Sequence, residues 1–522
     1  LSALAVRTFR IEETIQMRWN LFRRFRSWLH CRLETPLTRP KLVRPRLETL
    51  EDRATPANVY WAADVSGDWD VPTNWADDHG RPGVPGVGDD VEIHCSVPVT
   101  VTITEGAHEV SSVICEGSTL VLNDGSLTAE DTTVDPGIII YGGTFNFNGG
   151  TLGSRVFILS AALNIGSGST GAGNFLAEGT SSLTGNVATA QTLEVRGNPA
   201  NGPGILNLAD GTVNEGTIQL RSTAGTFATF PARLSIDGTF TNSGTIEAID
   251  GASDGTCDLV GGTFDNSGTV KVDRSTLTIN ASTSQVSGNT LTGGTWVVTA
   301  GGTLVLSNVA ITANQGSITL AGTDATFAAL NGLTSNAGSL NIQGGRSFAT
   351  TGDFSNCGTL TIDTGSTFTS NGNYAQTDGN TFLSGGTLTA SGTVLLQGGQ
   401  LAGTGSINGS VNNAALVQIG DDVTVGILRI NGGYAQTAEG SLQVKIGGYN
   451  AGTDFDQLLV TGQATVDGTL TITLINSFSP NSGDTFSVLS ANSVMGIFAT
   501  LVGDGPSFDQ QNDGSNLILV SH

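Results

Sequence analysis

Phe240-Thr-Asn-Ser-Gly-Thr-Ile246 returns as Phe264-Asp-Asn-Ser-Gly-Thr-Val270 and as Phe354-Ser-Asn-Cys-Gly-Thr-Leu360. A shortened form stands at Val213-Asn-Glu-Gly-Thr-Ile218. The asparagines fall at 214, 242, 266 and 356, giving gaps of 28, 24 and 90 residues, and 90 is close to four of the shorter gaps. Periods of about 20–50 residues mark stacked or arrayed units. A second signal runs beside the first: Gly-Gly-Thr and then a large apolar residue, ending at Phe145, Leu152, Phe264, Trp296, Leu304 and Leu388.

Between these punctuation marks apolar residues and Thr alternate, as in Val99-Thr-Val-Thr-Ile103 and Leu277-Thr-Ile279. A period of two is the pattern of strands with one face buried. A coil of about 22–25 residues cannot bury a core alone, whereas stacked coils create one. Gly and Asn are expected to supply positive φ at the corners. Residues 91–430 would then form about 14 coils, a rod of about 65–70 Å at strand spacing. An antiparallel propeller or sandwich is the competing architecture, and it would call for longer strands and more aromatic residues.

Composition agrees with an all-β repeat protein. The 522 residues include 72 Gly, with only 13% charged and 6% aromatic residues. Residues 1–53 hold 12 of the 22 Lys+Arg and six of the 46 Asp+Glu, leaving 10 basic against 40 acidic residues in the body. An acidic body repels phosphate backbones, so nucleic acid is not an expected partner. No run of about 20 apolar residues is present, so no transmembrane helix is expected.

Four segments follow: a basic leader (1–57), a Trp-rich N-terminal cap (58–90), solenoid repeats (91–430) and a β-rich end segment (431–522). In the leader, Phe22, Phe25 and Leu29 recur at helical spacing among Arg23, Arg24 and Arg26, which suits a membrane-surface targeting helix or an unstructured basic stretch. The chain opens on Leu1, and the sequence from Met17 reads as a more natural start, leaving residues 1–16 doubtful as coding sequence.

Three stretches carry resemblances. Arg44–Ala57 (RPRLETLEDRATPA) resembles the short N-terminal export motif of planctomycete extracellular proteins, through Leu47, Glu48, Leu50, Glu51, Asp52, Arg53, Thr55, Pro56 and Ala57. That likeness implies export to the cell surface or beyond, with processing near Ala57. Asn74-Trp75 followed by Pro85-Gly-Val-Gly-Asp-Asp90 resembles the entry segment of bacterial repeat-rich surface proteins. Residues 370–500 include Tyr374-Ala-Gln-Thr377, Leu401-Ala-Gly-Thr-Gly-Ser-Ile407, Tyr434-Ala-Gln-Thr437, Phe455-Asp-Gln-Leu458 and Gly483-Asp-Thr-Phe486. Their order is similar to autotransporter passengers and pectin-lyase-like proteins, and the likeness implies a right-handed parallel β-helix. Family members often carry Pro-Gly where this chain has Ile419-Gly420, and no autotransporter barrel is recognisable, so outer-membrane self-insertion is not expected.

Candidate chemistry is sparse. Trp61, Trp69 and Trp75 either cap the open end of the stack or offer a platform to a sugar ring. Cys95 and Cys115 are 20 residues apart and form either a disulfide or two stacked free thiols. Cys257 and Cys357 are too far apart for a bond and read as small buried residues. His79, His94, Cys95, His108 and Cys115 lack the paired short spacing of zinc sites, so no metal is expected. A lyase of this fold needs a base beside carboxylate-bound calcium, and a hydrolase needs paired carboxylates. The nearest approximations are Lys271 and Arg274 around Asp273, and the pairs Asp89-Asp90, Asp421-Asp422 and Asp454/Asp456; a solvated corner or a turn accounts for them better. No catalytic residue and no cofactor is assigned. The function expected is structural or adhesive, with extracellular polysaccharide or surface proteins as partners; the alternatives are a polysaccharide-active enzyme and a carbohydrate-binding module.

Overall fold

The computed structural model describes residues 57–129, 137–224, 228–249, 256–503 and 507–522. The basic leader and its export motif, except Ala57, lie outside the described residues.

The described chain is all-β and its strands pair almost wholly in parallel. One series runs Thr217–Arg221, Thr245–Ile249, Thr269–Asp273, Thr295–Val298, Ser317–Ala321, Ser339–Gln343 and Thr359–Asp363, each in register with the next. A separate sheet of 12 parallel strands runs from Gly67–Asp68 to Thr326–Phe327. The offset between paired residues falls from 28 (Thr217 to Thr245) to 20 (Ser339 to Thr359). Burial alternates strictly along these strands, so Ile218, Ile246, Val270, Trp296, Ile318, Leu340 and Leu360 form one inward column. Thr217, Thr245, Thr269, Thr295, Ser317, Ser339 and Thr359 start the same strands on the outer face. β-branched residues suit this pleated, half-buried surface.

The repeated asparagine proves to be an inward strand residue. Asn214 Nδ2 donates to Asn242 Oδ1 at 2.7 Å, and Asn242 Nδ2 to Asn266 Oδ1 at 2.7 Å. Asn314, Asn336 and Asn356 repeat the arrangement at 2.7 and 2.8 Å. Each donor amide also reaches a carbonyl in a neighbouring repeat, such as Asn242 to Thr269 O at 3.2 Å and Asn336 to Thr359 O at 3.0 Å. Leu291 is in register with Asn314 and interrupts the row. Asn266 Nδ2 and Asn214 Oδ1, the free ends of the first row, are accordingly left without partners. The 90-residue gap in the sequence is thus four repeats, one bearing Leu and two bearing the Asn-Gln-Gly-Ser and Asn-Ala-Gly-Ser variants.

Positive φ was expected of the corner Gly and Asn residues, and Gly238, Gly261, Gly301, Gly345 and Gly365 have it, but it is not what selects the ladder residues. No ladder asparagine has positive φ, and neither does Gly244, Gly268, Gly338 or Gly358. The glycines are required by close approach: a Cβ on Gly268 would lie 2.2 Å from Gly244 O, and one on Gly338 2.1 Å from Gly316 O. Those carbonyls are occupied by the following Thr or Ser, as in Thr269 N to Gly244 O at 2.8 Å.

Parallel pairing is not confined to residues 91–430. Asn58–Trp61 pairs in parallel with Asp90–His94, and Gly67–Asp68 with Thr100–Ile103, so the cap segment is itself in register with the repeats. Parallel pairing also runs past residue 430, as far as Thr469–Leu474 against Thr500–Gly503. Antiparallel pairing closes both extremes, Asn58–Trp61 with Trp75–Asp77, and Thr485–Ser490 and Phe508–Asn512 with Asn516–Ser521; between them it is confined to short hairpins such as Thr223–Ala224 with Thr229–Phe230 and Val286–Ser287 with Thr290–Leu291, and to isolated bridges. At the extremes such pairing covers sheet edges that would otherwise template association.

Asn242→Ala removes the central member of the first asparagine row and leaves buried partners unsatisfied. It should lower stability by about 2–4 kcal/mol at roughly 1–3 kcal/mol per orphaned group; urea unfolding with an unchanged midpoint would show the row to be dispensable.

Candidate functional site

The tryptophans are core, not platform. Trp61, Trp69 and Trp75 are 4%, 0% and 1% exposed, so none offers a face to a sugar ring. Trp75 stands edge-on to both others with ring centroids at 4.8 Å, and its Nε1 donates to Trp69 O at 2.7 Å. Trp61 Nε1 donates to Val65 O.

Cys95 and Cys115 are free thiols, with no disulfide between them. The register explains this: Cys115 pairs with Ile93, which places Cys95 two residues beyond its level. Burial pushes the Cys115 thiol up to about 12 and Cys257 up to about 11. Cys357, read as buried, is exposed at the corner position that Ser243 and Ser267 occupy in the equivalent repeats.

The histidines disperse to separate contacts. His94 Nδ1 lies 2.8 Å from Glu116, His108 Nε2 lies 3.1 Å from Glu105 O, and His79 stands beside Asp77. Among the described residues no group of three His, Cys, Asp or Glu side chains could hold a metal ion.

The basic and acidic candidates have local partners. Lys271 Nζ lies 2.5 Å from Glu247 across adjacent strands, and Arg274, at positive φ, lies 3.6 Å from Asp273. Asp89 accepts from the Ala57 and Gly86 amides, and Asp90 from the Ser112 hydroxyl. Asp421 accepts from the Val423 and Thr424 amides, which holds its carboxyl below the ordinary range. Asp454 accepts from the Asn450 amide.

Asp456 differs from all of these. It is fully buried and paired with Lys445, also buried, at 2.8 Å. Lys445 Nζ also donates to Ile419 O at 2.5 Å, and Asp456 Oδ1 accepts from Gly426 N at 2.8 Å. The ion pair therefore grips both ends of the loop 420–426. Burial pushes the Asp456 carboxyl above its ordinary range, against the pull of Lys445.

That loop forms one wall of a groove of about 580 Å³. Phe382, Gln400, Gln418, Thr404, Asp421 and Asp422 line it, among others. Phe382 is an outward-facing ring in register with Thr361 and Ala402 on the neighbouring strands. Gln400 Nε2 donates to Gln418 Oε1, and Gln418 Nε2 to Asp422 Oδ1 at 3.1 Å. Sequence reasoning passed over Phe382, Gln400 and Gln418, since isolated residues 18–20 apart give no motif. Asp421-Asp422 and the departure at Ile419-Gly420 were the only signals pointing there.

No protein-family model matches the chain, and no curated protein matches it.

Trp69→Ala should cost about 3–5 kcal/mol of stability and leave retention on glycan surfaces unchanged; lost retention without lost stability would restore the platform reading. In native protein, peptide mapping after brief thiol alkylation should find Cys357 modified, with Cys115 and Cys257 modified only after unfolding. Labelling of Cys115 ahead of Cys357 would contradict its burial.

Proposed function

We propose that the chain is a non-enzymatic structural or adhesive protein of the cell surface or extracellular space, built on a right-handed parallel β-helix. The observation that carries this reading is the unbroken outward column of Thr and Ser on strands in continuous parallel register. A regular face of this kind presents a periodic row of hydroxyls to an extended partner. Right-handedness is supported by the near-universal right-handed crossover between parallel strands and by the likeness to pectin-lyase-like proteins. Export is supported by the likeness of residues 44–57 to the planctomycete motif. Extracellular polysaccharide is the favoured partner, because sugar hydroxyls match a hydroxyl-rich face while the acidic body disfavours phosphate polymers.

A polysaccharide lyase or hydrolase is the second reading, favoured by the carboxylates on the wall of the groove. It requires a proton-transfer pair, and Lys271, Arg274, Asp89, Asp90 and Asp421 are each already engaged with neighbours.

The full chain should be retained on a glycan array without releasing reducing ends or unsaturated products from the same glycans. Product formation would overturn the non-enzymatic reading.

A further inference from the structure

The construction of the groove beside the loop 420–426 sets it apart from an incidental dent. Lys445 and Asp456 are 1% and 0% exposed, and burying two charges is a poor way to gain stability. Their contacts are directed at the loop: Lys445 Nζ to the carbonyl before it, and Asp456 Oδ1 to the amide at its far end. A backbone antiparallel bridge between Gly403 and Gly420 fixes its base from the other side. The arrangement holds Asp421 and Asp422 at a set height beside the strands.

The lining combines three kinds of group. Phe382 offers an aromatic face, 36% exposed. Gln400, Gln418 and Asp422 form a directed chain of donors ending on a carboxylate. Among the described residues Gln400 Oε1 and Asp422 Oδ2 have no hydrogen-bond partner within the protein. Thr361, Ser384 and Thr404 add hydroxyls at the margin. The volume is within the range of about 300–1,000 Å³ usual for small-ligand sites.

We propose that this groove binds a short segment of an uncharged pyranose chain, which rests on the reading of the protein as a glycan-binding surface protein. The C–H face of a pyranose ring is apolar and suits the Phe382 ring. Its hydroxyls both donate and accept, matching acceptor atoms on Gln400 and Asp422 beside donor hydroxyls. Two adjacent carboxylates on one wall, on a chain of net charge −24, disfavour uronate chains. Lys445 and Asp456 are positioning residues, since neither lines the groove.

The test is calorimetric titration of the full chain with cellotetraose, chitotetraose and tetragalacturonate, for the unmodified protein, Phe382→Ala and Asp422→Asn. The unmodified protein should bind at least one uncharged tetrasaccharide with Kd of about 1 mM or tighter, and tetragalacturonate more weakly. Each variant should lose tenfold or more in affinity with an unchanged thermal midpoint. Binding unchanged in both variants would overturn the groove assignment while leaving the surface-adhesive reading intact. Retention on polysaccharide surfaces without tetrasaccharide binding would do the same. Preference for tetragalacturonate would overturn the choice of ligand. No retention on any glycan would overturn the glycan-binding reading as well.

Discussion

Close backbone approach at the Asn-x-Gly-(Thr/Ser) corner is the constraint on which the rest of the structure depends. The glycine carbonyl of one repeat lies where a Cβ of the next would stand, 2.2 Å away at Gly268 and Gly358. That proximity lets the following Thr amide reach the same carbonyl, as Thr359 N does with Gly338 O at 2.8 Å. Once this corner is fixed, the strand after it has only one register, because a one-residue slip would turn its inward column outward. Aromatic pairs such as Phe240 with Phe264, at 5.8 Å, then align as a consequence.

The asparagine rows add specificity to this packing. A buried amide is tolerated only when its donors and acceptors are satisfied, and the repeat supplies both from the adjacent levels. Where the row meets Leu291 or Val187 the satisfaction ends, and Asn266 Nδ2 and Asn214 Oδ1 stand unpartnered. A repeat with the wrong residue at this position therefore disturbs its neighbour rather than itself. Irregularity is better accommodated at the outer turns, where repeat length varies without altering the register of the strands.

The loop 420–426 is the clearest case of local structure held by distant sequence. Its own residues supply only a turn, through Asp421 and the amides of Val423 and Thr424. Its attachment comes from Lys445 and Asp456, on a later strand and the segment that follows it. Ion pairs so deeply buried serve geometry better than stability. Here the geometry served is the wall of a groove.

The parallel repeat, its alternating strands and the four-repeat length of the 266–356 gap were legible in the sequence, because each rests on a local pattern recurring at a nearly constant interval. The inward place of Asn242, the choice between cap and platform at Trp69 and the choice between disulfide and free thiols at Cys95 and Cys115 were not. Each depends on register to within one residue, and composition carries no register. Beyond residue 430 parallel pairing was implied only by the resemblance over residues 370–500 and not by the period, because the offsets there lengthen and the Asn-x-Gly-Thr punctuation disappears. The groove was least legible of all: Thr361, Phe382, Gln400 and Gln418 become neighbours only when successive repeats stack. Sequence by itself determined that the chain would form parallel stacked strands with apolar residues inside. Tertiary structure alone decided which polar residues share a surface, since stacking converts an interval of about 20 residues into a neighbour spacing of about 4.8 Å.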